Sequence, residues 1–174
     1  MDLEWSSLET PVGNLTGVEC RHGPLLLMLN PATHRKPHWI ETITRHRGPT
    51  TISLGRCDAI RNWLQHYFAG EASSFPFPEY LPEWWPASPA QISVWRNIAT
   101  IPFGETTSYG ALAKLSDSSP RAVGQLVGSN PLPILIPCHR VIGADGSLVG
   151  YSGGVARKRK LLSHELAASG LQLR

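Results

Sequence analysis

Cys138 is followed at once by His139 and Arg140, so a nucleophile, a base and a fixed positive charge occupy three consecutive positions. Sulfur attacks carbon as the thiolate, not the thiol. A free cysteine is mostly protonated near neutral pH, so it needs a base or cationic surroundings to act. Neighbours on an extended strand point opposite ways, so adjacency alone does not put the His139 ring on the thiol. Two other cysteines, Cys20 and Cys57, lie far from Cys138 and from each other. An odd, sparse set is not a disulfide framework, and it holds no Cys-x-x-Cys pair for zinc. Cys57 reads as a small buried hydrophobe. Reduced thiols and the acidic start Met1-Asp2-Leu3-Glu4-Trp5, without an apolar secretion core, lead us to expect a cytoplasmic protein. No run approaches the roughly 18 apolar residues of a membrane span.

The elements before Cys138 must position it. Ile92, Val94, Trp95, Ile98 and Ala99 have helical spacing, and that helix ends before Pro102. Phe103-Gly104-Glu105 is a turn. Ser108 is placed as an N-cap for a short helix over Tyr109 to Leu115. Ser116 to Ser119 is a polar turn, and Ser119 caps a second helix with Pro120 at its first position, carrying Arg121 to Gly128. Two short helices joined by a tight polar turn predict a helix-turn-helix. The second helix is nearly bare at Ala122, Gly124 and Gly128, and glycine weakens a helix. Either close approach of a bulky polymer or packing on another helix would explain it.

The first half reads differently. Thr10 to Asn14 is a turn between two short strands, and Leu25 to Leu29 is a buried strand. His34 to His46 is a polar, basic loop or short helix. Ala59 to Phe68 is a helix that Gly70 ends. Five prolines between Glu71 and Pro89 forbid regular helix and make an extended connection, with Trp84 and Trp85 anchoring it to the core. The expected architecture is an α/β N-terminal domain (1–75), a Pro-rich connection (76–89) and a mainly helical C-terminal domain (90–174) containing the helix-turn-helix. With 41% hydrophobic and 17% charged residues, the 174-residue chain has enough apolar side chains for a core. Residues 1–89 carry 7 Lys/Arg against 9 Asp/Glu, whereas 90–174 carry 9 against 4. That asymmetry hints at a polyanion partner for the second half. Arg157-Lys158-Arg159-Lys160 reads as a solvated helix face that can add a nonspecific phosphate term.

The run Pro137-Cys138-His139-Arg140-Val141 resembles the active-site signature of the O6-alkylguanine-DNA alkyltransferases. Arg121-Ala122-Val123-Gly124, Ser129-Asn130-Pro131 and Gly150-Tyr151-Ser152-Gly153-Gly154 resemble that family in order and spacing. So do Val94-Trp95, Ile101-Pro102, Gly104-Glu105-Thr106 and Ser108-Tyr109. The resemblance is strong over about residues 90–166. It is weak before them, resting on Glu9 to Gly13 and Tyr67 to Gly70. It implies irreversible transfer of an alkyl group from O6 of guanine in double-stranded DNA to Cys138, without a cofactor, by a protein expected to be a monomer.

The resemblance also assigns roles. His139 and Glu165 form a pair behind Cys138, with a water relaying the proton. Asn130 tethers the active-site segment. Tyr109 protonates the leaving guanine. Arg121 fills the gap left when the base is flipped out, with Ser108, Ala122 and Gly124 beside it on the DNA. Pro133, Val141, Tyr151, Ser152 and Gly153 line the alkylguanine pocket, Pro133 and Gly153 making it roomy, and backbone groups near Cys138 and Val141 read the guanine edge. Without the resemblance, Glu165 would read as an exposed helical carboxylate. Ala90-Gln91 departs from the family's Phe-Gln. Some members bind metal near the N-terminus; here Cys20, His22, His34, His38 and His46 offer one thiol, and Pro37 interrupts the His34–His38 pair, so no metal is expected. Two other functions use the same residues: a cysteine hydrolase built on Cys138, His139 and Glu165, and a non-catalytic DNA-damage sensor. Such sensors replace the cysteine by tryptophan, and Cys138 is intact.

Overall fold

The first half builds a small sheet whose apolar face must be covered. In the computed structural model, which describes residues 2–29, 38–71 and 74–170, β1 (Asp2–Leu8), β2 (Leu15–Cys20) and β3 (Gly23–Met28) form an antiparallel meander. The turn between β1 and β2 closes with Gly13 N–H on the Thr10 carbonyl at 2.9 Å. His34 and Pro37 lie outside the described residues, as does the side chain of His38. Helix α1 (His38–Arg47) leads into β4 (Thr51–Leu54), which pairs parallel with β1 and gives the order β3-β2-β1-β4. A parallel neighbour needs a crossover, and α1 lies on that path. The basic segment is thus helical where it is described.

Helix α2 (Asp58–Phe68) turns Ile60, Leu64 and Tyr67 into the core. Its N-cap, Cys57, supplies no capping side chain. The buried Glu19 carboxylate of β2 does so instead, accepting from the Ala59 and Ile60 N–H groups. Gly70, at φ 78°, ends the helix by returning its N–H to the Tyr67 carbonyl. This fixes Tyr67 in the last turn.

The proline-rich connection is not wholly extended. Leu81–Trp84 forms one helical turn, α3, because Pro82 falls in its first turn, where proline costs no hydrogen bond. Trp84 is buried, as expected of an anchor. Helix α4 (Pro89–Ala99) opens on a capping box between Ser88 and Gln91. Gln91 also donates to Ser129 Oγ, so the departure at Ala90-Gln91 leaves this corner well tied.

Strand β5 (Thr107–Ser108) runs directly into α5 (Tyr109–Leu115), and a turn leads to α6 (Pro120–Gly128). Ser108 Oγ accepts from Ala111 N–H and Ser119 Oγ from Ala122 N–H, the two predicted caps. The Trp95 indole donates to the Leu126 carbonyl, and Asn97 donates to Leu115 O and Ser116 Oγ. Helix α4 therefore clamps the helix-turn-helix from behind. A 3-10 turn over Cys138–Arg140 follows, then β6 (Val141–Ile142), which pairs parallel with β5, and α7 (Val155–Ala168).

The two halves share one continuous hydrophobic core. Leu27 N–H donates to the Pro131 carbonyl at 2.8 Å, and Arg157 Nε donates to the Val12 carbonyl at 2.9 Å. No described helix is long and apolar enough to cross a membrane.

Candidate active site

The segment that delivers Cys138 is buried and bent. Ile136 N–H reaches back to the Leu132 carbonyl, and Ile134 between them takes φ 77°, a left-handed conformation rare for a β-branched residue. Asn130 spans this bend. Its amide donates to the Ile136 carbonyl at 2.8 Å, and its Oδ1 accepts from Leu132 N–H at 3.0 Å. Asn130 thus ties the two ends of the bend together.

Residues 138–140 form a 3-10 turn rather than an extended strand. With three residues per turn, successive side chains point about 120° apart. Cys138 faces a cleft while His139 and Arg140 turn inward. Both inward side chains end on Glu165, which is fully buried. His139 Nε2 lies 2.6 Å from Glu165 Oε1. Arg140 donates through Nε to Oε2 at 2.9 Å and through Nη2 to Oε1 at 3.0 Å, and its Nη1 donates to the Ile101 carbonyl. The Gly104 N–H donates to Oε2 at 3.1 Å, and the Tyr67 hydroxyl donates to Oε1 at 2.7 Å. Glu165 is therefore no exposed helical carboxylate. Burial alone would raise its pKa, but the bonds and charges of His139 and Arg140 outweigh burial and hold it at about 2.

Because Glu165 is an anion, the nitrogen facing it carries the proton. His139 Nε2 is the N–H, and Nδ1 keeps a lone pair. Nδ1 is buried and has no hydrogen-bond partner among the described residues. Burial lowers the imidazole's proton affinity, and Glu165 raises it only in part, so the ring is a neutral base at rest. Burial likewise pushes the Cys138 thiol up to about 11, against a hydrogen bond from Asn130 and the charge of Lys158, which pull it down. The resting pair is thiol and imidazole, not thiolate and imidazolium.

The cleft outside Cys138 has a volume of about 530 Å³ and is walled by α6 on one side and by Val149 to Ser152 on the other. Of the predicted residues it gathers Tyr109, Arg121, Gly124, Tyr151 and Ser152 with Cys138. A Cβ built on Gly124 or Gly128 would meet nothing within 4 Å. Helix packing therefore does not explain the bare face; it is open space in front of Cys138. Arg121 is exposed in the first turn of α6. Ala122 is half-buried beside it, and Ser108 stands behind the cleft as the α5 cap. The Tyr109 hydroxyl points at the Val149 and Gly150 carbonyls, 3.4 Å from each.

Pro133, Val141 and Gly153 lie outside this lining. Pro133 shares a separate recess with Trp85 and Ser152. Val141 is fully buried, and its carbonyl already accepts from Lys158 Nζ at 2.6 Å. At Gly153 a Cβ would sit 2.5 Å from Leu29 Cδ1, so this glycine admits the N-terminal half rather than widening a pocket.

The basic run also departs from expectation. Lys158 is fully buried, donating to the Val141 and Val149 carbonyls, and Arg157 donates to Val12 O and Gly153 O; only Arg159 and Lys160 are exposed. Lys158, Leu161 and Glu165 are the buried residues of α7. Their spacing of three and four is the helical signal that marks Lys158 as inward-facing. Tyr67 and Gly104, read as core and turn residues, prove to be ligands of Glu165. Among the described residues no group of three or more His, Cys, Asp or Glu is placed to hold a metal ion.

Fold and site together define a class: a protein that presents a buried cysteine, backed by a histidine–glutamate pair, at the foot of a helix-turn-helix. Residues 89–167 match the family model described as the 6-O-methylguanine DNA methyltransferase DNA-binding domain. The chain is 37% identical to the methylated-DNA–protein-cysteine methyltransferase of Mycobacterium tuberculosis, over 94% of this chain and 92% of that protein. It is 42% identical to the Shigella flexneri protein of the same name over 70% of each. The crystal structure of the M. tuberculosis O6-methylguanine methyltransferase superposes with a TM-score of 0.75 at 33% identity, covering 98% of this chain and 96% of that one. A structure of the same organism's protein in complex with DNA gives 0.74 at 32% identity, covering 97% and 94%. The chain belongs to the methylated-DNA–protein-cysteine methyltransferase family.

Proposed function

We propose that this chain repairs duplex DNA by moving the alkyl group of an O6-alkylguanine to Cys138 Sγ, once and irreversibly. The observation that carries this reading is Cys138 at the base of an open cleft, with the His139–Glu165 pair buried behind it. The reading draws support from the relatives' name and from the relative solved with DNA.

The chemistry follows from the protonation states. The thiol must lose its proton as it attacks. His139 Nδ1 takes it through a water, and Glu165 stabilises the imidazolium that forms. Sulfur then displaces the alkyl carbon: the S–C bond forms as the C–O6 bond breaks, and the electron pair goes to the guanine. Tyr109 delivers a proton to that leaving base and is reprotonated from solvent, while the His139 imidazolium releases the thiol proton to solvent, so the net change is one proton lost from sulfur and one gained by guanine. The product is a thioether, which water does not cleave, so Cys138 is consumed. No cofactor enters the step.

The target atom inside a duplex is out of reach, so the base must leave the stack. The bare face of α6 lets backbone approach the groove, and Arg121 occupies the gap. Tyr151 and Ser152 flank the extruded base. Pro133, Val141 and Gly153 would shape the pocket only if it opens beyond the cleft described. A monomer acting in the cytoplasm suffices for this reaction.

Intact-mass analysis after incubation with methylated duplex tests the proposal. One CH₂ should be gained per chain and map to Cys138, and Cys138→Ala should gain none. Repeated turnover by a chemically unchanged protein would refute it and point to a hydrolase.

A further inference from the structure

The N-terminal half reaches into the proton relay through one atom. Tyr67, in the last turn of α2, is fully buried, and its hydroxyl stands 2.7 Å from Glu165 Oε1 and 3.4 Å from His139 Nε2. The hydroxyl proton goes to the carboxylate, since the facing His139 nitrogen carries a proton of its own. A Tyr67 oxygen lone pair is then left toward that Nε2–H, which Glu165 Oε1 and Tyr67 share.

We propose that Tyr67 is a positioning residue for alkyl transfer, holding Glu165 Oε1 in line with His139 Nε2 and keeping the imidazole in the tautomer whose Nδ1 is free to take the Cys138 proton. The proposal rests on His139 being the base for Cys138. The groups that face His139 are Glu165 and Lys158 from α7, Arg140 from its own turn, Cys138 beside it, and Tyr67 from α2. Arg140 and Gly104 anchor Oε2, and Arg140 also touches Oε1. Tyr67 is the contact that touches both members of the pair. Its hydroxyl cannot drift into acting as an acid itself, because burial and the nearby Glu165 charge raise its proton affinity far above that of an ordinary phenol. A hydrogen bond on one imidazole nitrogen sets the character of the other. The site therefore stays incomplete until α2 docks on α7, a contact also made by His164 Nε2 on the Tyr67 carbonyl at 2.8 Å.

Tyr67→Phe in the full chain tests this. The ring keeps its stack on Trp63 and its edge contacts with Phe103, so the fold is retained. Transfer from methylated duplex should slow by roughly tenfold, within the range that support of a general base accounts for. The pH midpoint for carbamidomethylation of Cys138 by iodoacetamide should move up by about one unit, the same tenfold expressed as proton affinity. The His139 ring ¹⁵N pattern should change from a single Nε2–H tautomer to a mixture. Wild-type rate, midpoint and ¹⁵N pattern in Tyr67→Phe would overturn the proposal. Trp63→Leu loosens the same helix and leaves the hydroxyl in place. If it reproduces all three changes at matched melting temperature, Tyr67 is merely structural and the proposal falls. Failure of the wild-type chain to accept a methyl group would sink the functional reading instead, and the iodoacetamide and ¹⁵N comparisons would still decide the role of Tyr67.

Discussion

Cys57 and Cys138 are two buried thiols with opposite surroundings. Burial raises both, Cys57 to about 12 and Cys138 to about 11, so burial does not separate them. Their neighbours do. Cys57 sits over two carbonyls, donating to Gly17 O and Glu4 O, and the charges of Glu19 and Glu4 push its thiol further up. Cys138 has a hydrogen bond from Asn130 and the Lys158 ammonium pulling it down, a base next in sequence, and a cleft in front. A reactive cysteine here is a buried thiol whose charged form is partly provided for and whose sulfur has somewhere to go.

The largest expected effect breaks the comparison directly. In the folded chain, a small thiol reagent should modify Cys138 and leave Cys57 untouched until the protein unfolds. Because the Cys138 thiol is raised, its modification rate should climb with pH past the ordinary cysteine value of about 8.5 toward the value near 11. Lys158→Met removes the positive charge and should move that midpoint further up. Peptide mapping of the labelled sites across a pH series reads all three. Equal labelling of Cys57 and Cys138 in the native state would dissolve the distinction.

The next effect concerns the carboxylates beside each thiol. Glu19 caps a helix and its proton affinity is raised by burial; Glu165 is held at about 2. A carboxyl depressed from its usual 4.5 to about 2 contributes stability that is fully present above pH 4.5. That contribution, roughly 3 kcal/mol, is lost as pH falls toward 2. His139, held below its usual 6.5, adds a loss that begins as pH falls through 6.5. Glu165→Gln should flatten the unfolding curve between pH 4.5 and 2. At pH 7 it should cost about 3–5 kcal/mol, because Arg140 is left buried without its anion. Denaturant melts at pH 7, 4 and 2.5 check both signs; a loss for Glu165→Gln that grows as pH falls would contradict the ion-pair account.

How much of this was legible follows the same division. The helix-turn-helix was readable because Ser108, Ser119 and Pro120 are local signals, and the structure uses each as a cap or first-turn residue. Cys138 was readable from the run Pro137-Cys138-His139-Arg140-Val141 and its matched flanking segments, not from the adjacency of cysteine and histidine alone. Strand β4 was not, since Thr51 to Leu54 is largely exposed and gains its identity only by pairing with β1. The burial of Lys158 was hidden by its basic neighbours, although its spacing to Leu161 and Glu165 marked it. Tyr67 was unreadable as a site residue because its partners lie 72 and 98 positions away, and only docking of the two halves makes the contact. Local chemistry shows in a sequence; what is assembled across a fold does not.

The smallest effect sharpens what the open side of the comparison is for. Cys57 is sealed beneath Gly17, where a Cβ would press Ile60 and Leu8 at 3.0 Å, whereas Gly124 in front of Cys138 has free space. Gly124→Ala should therefore raise helix stability by about 0.5–1 kcal/mol, the ordinary gain of alanine over glycine in a helix interior. If the bare face exists for the approach of DNA, the variant should melt higher, react with iodoacetamide as the parent does, and yet accept a methyl group from duplex DNA more slowly. The decisive quantity is the ratio of the two rates at Cys138, one with a small reagent and one with DNA. A ratio unchanged by Gly124→Ala would show that α6 does not need its glycine for DNA, and would leave the weakness of that helix unexplained.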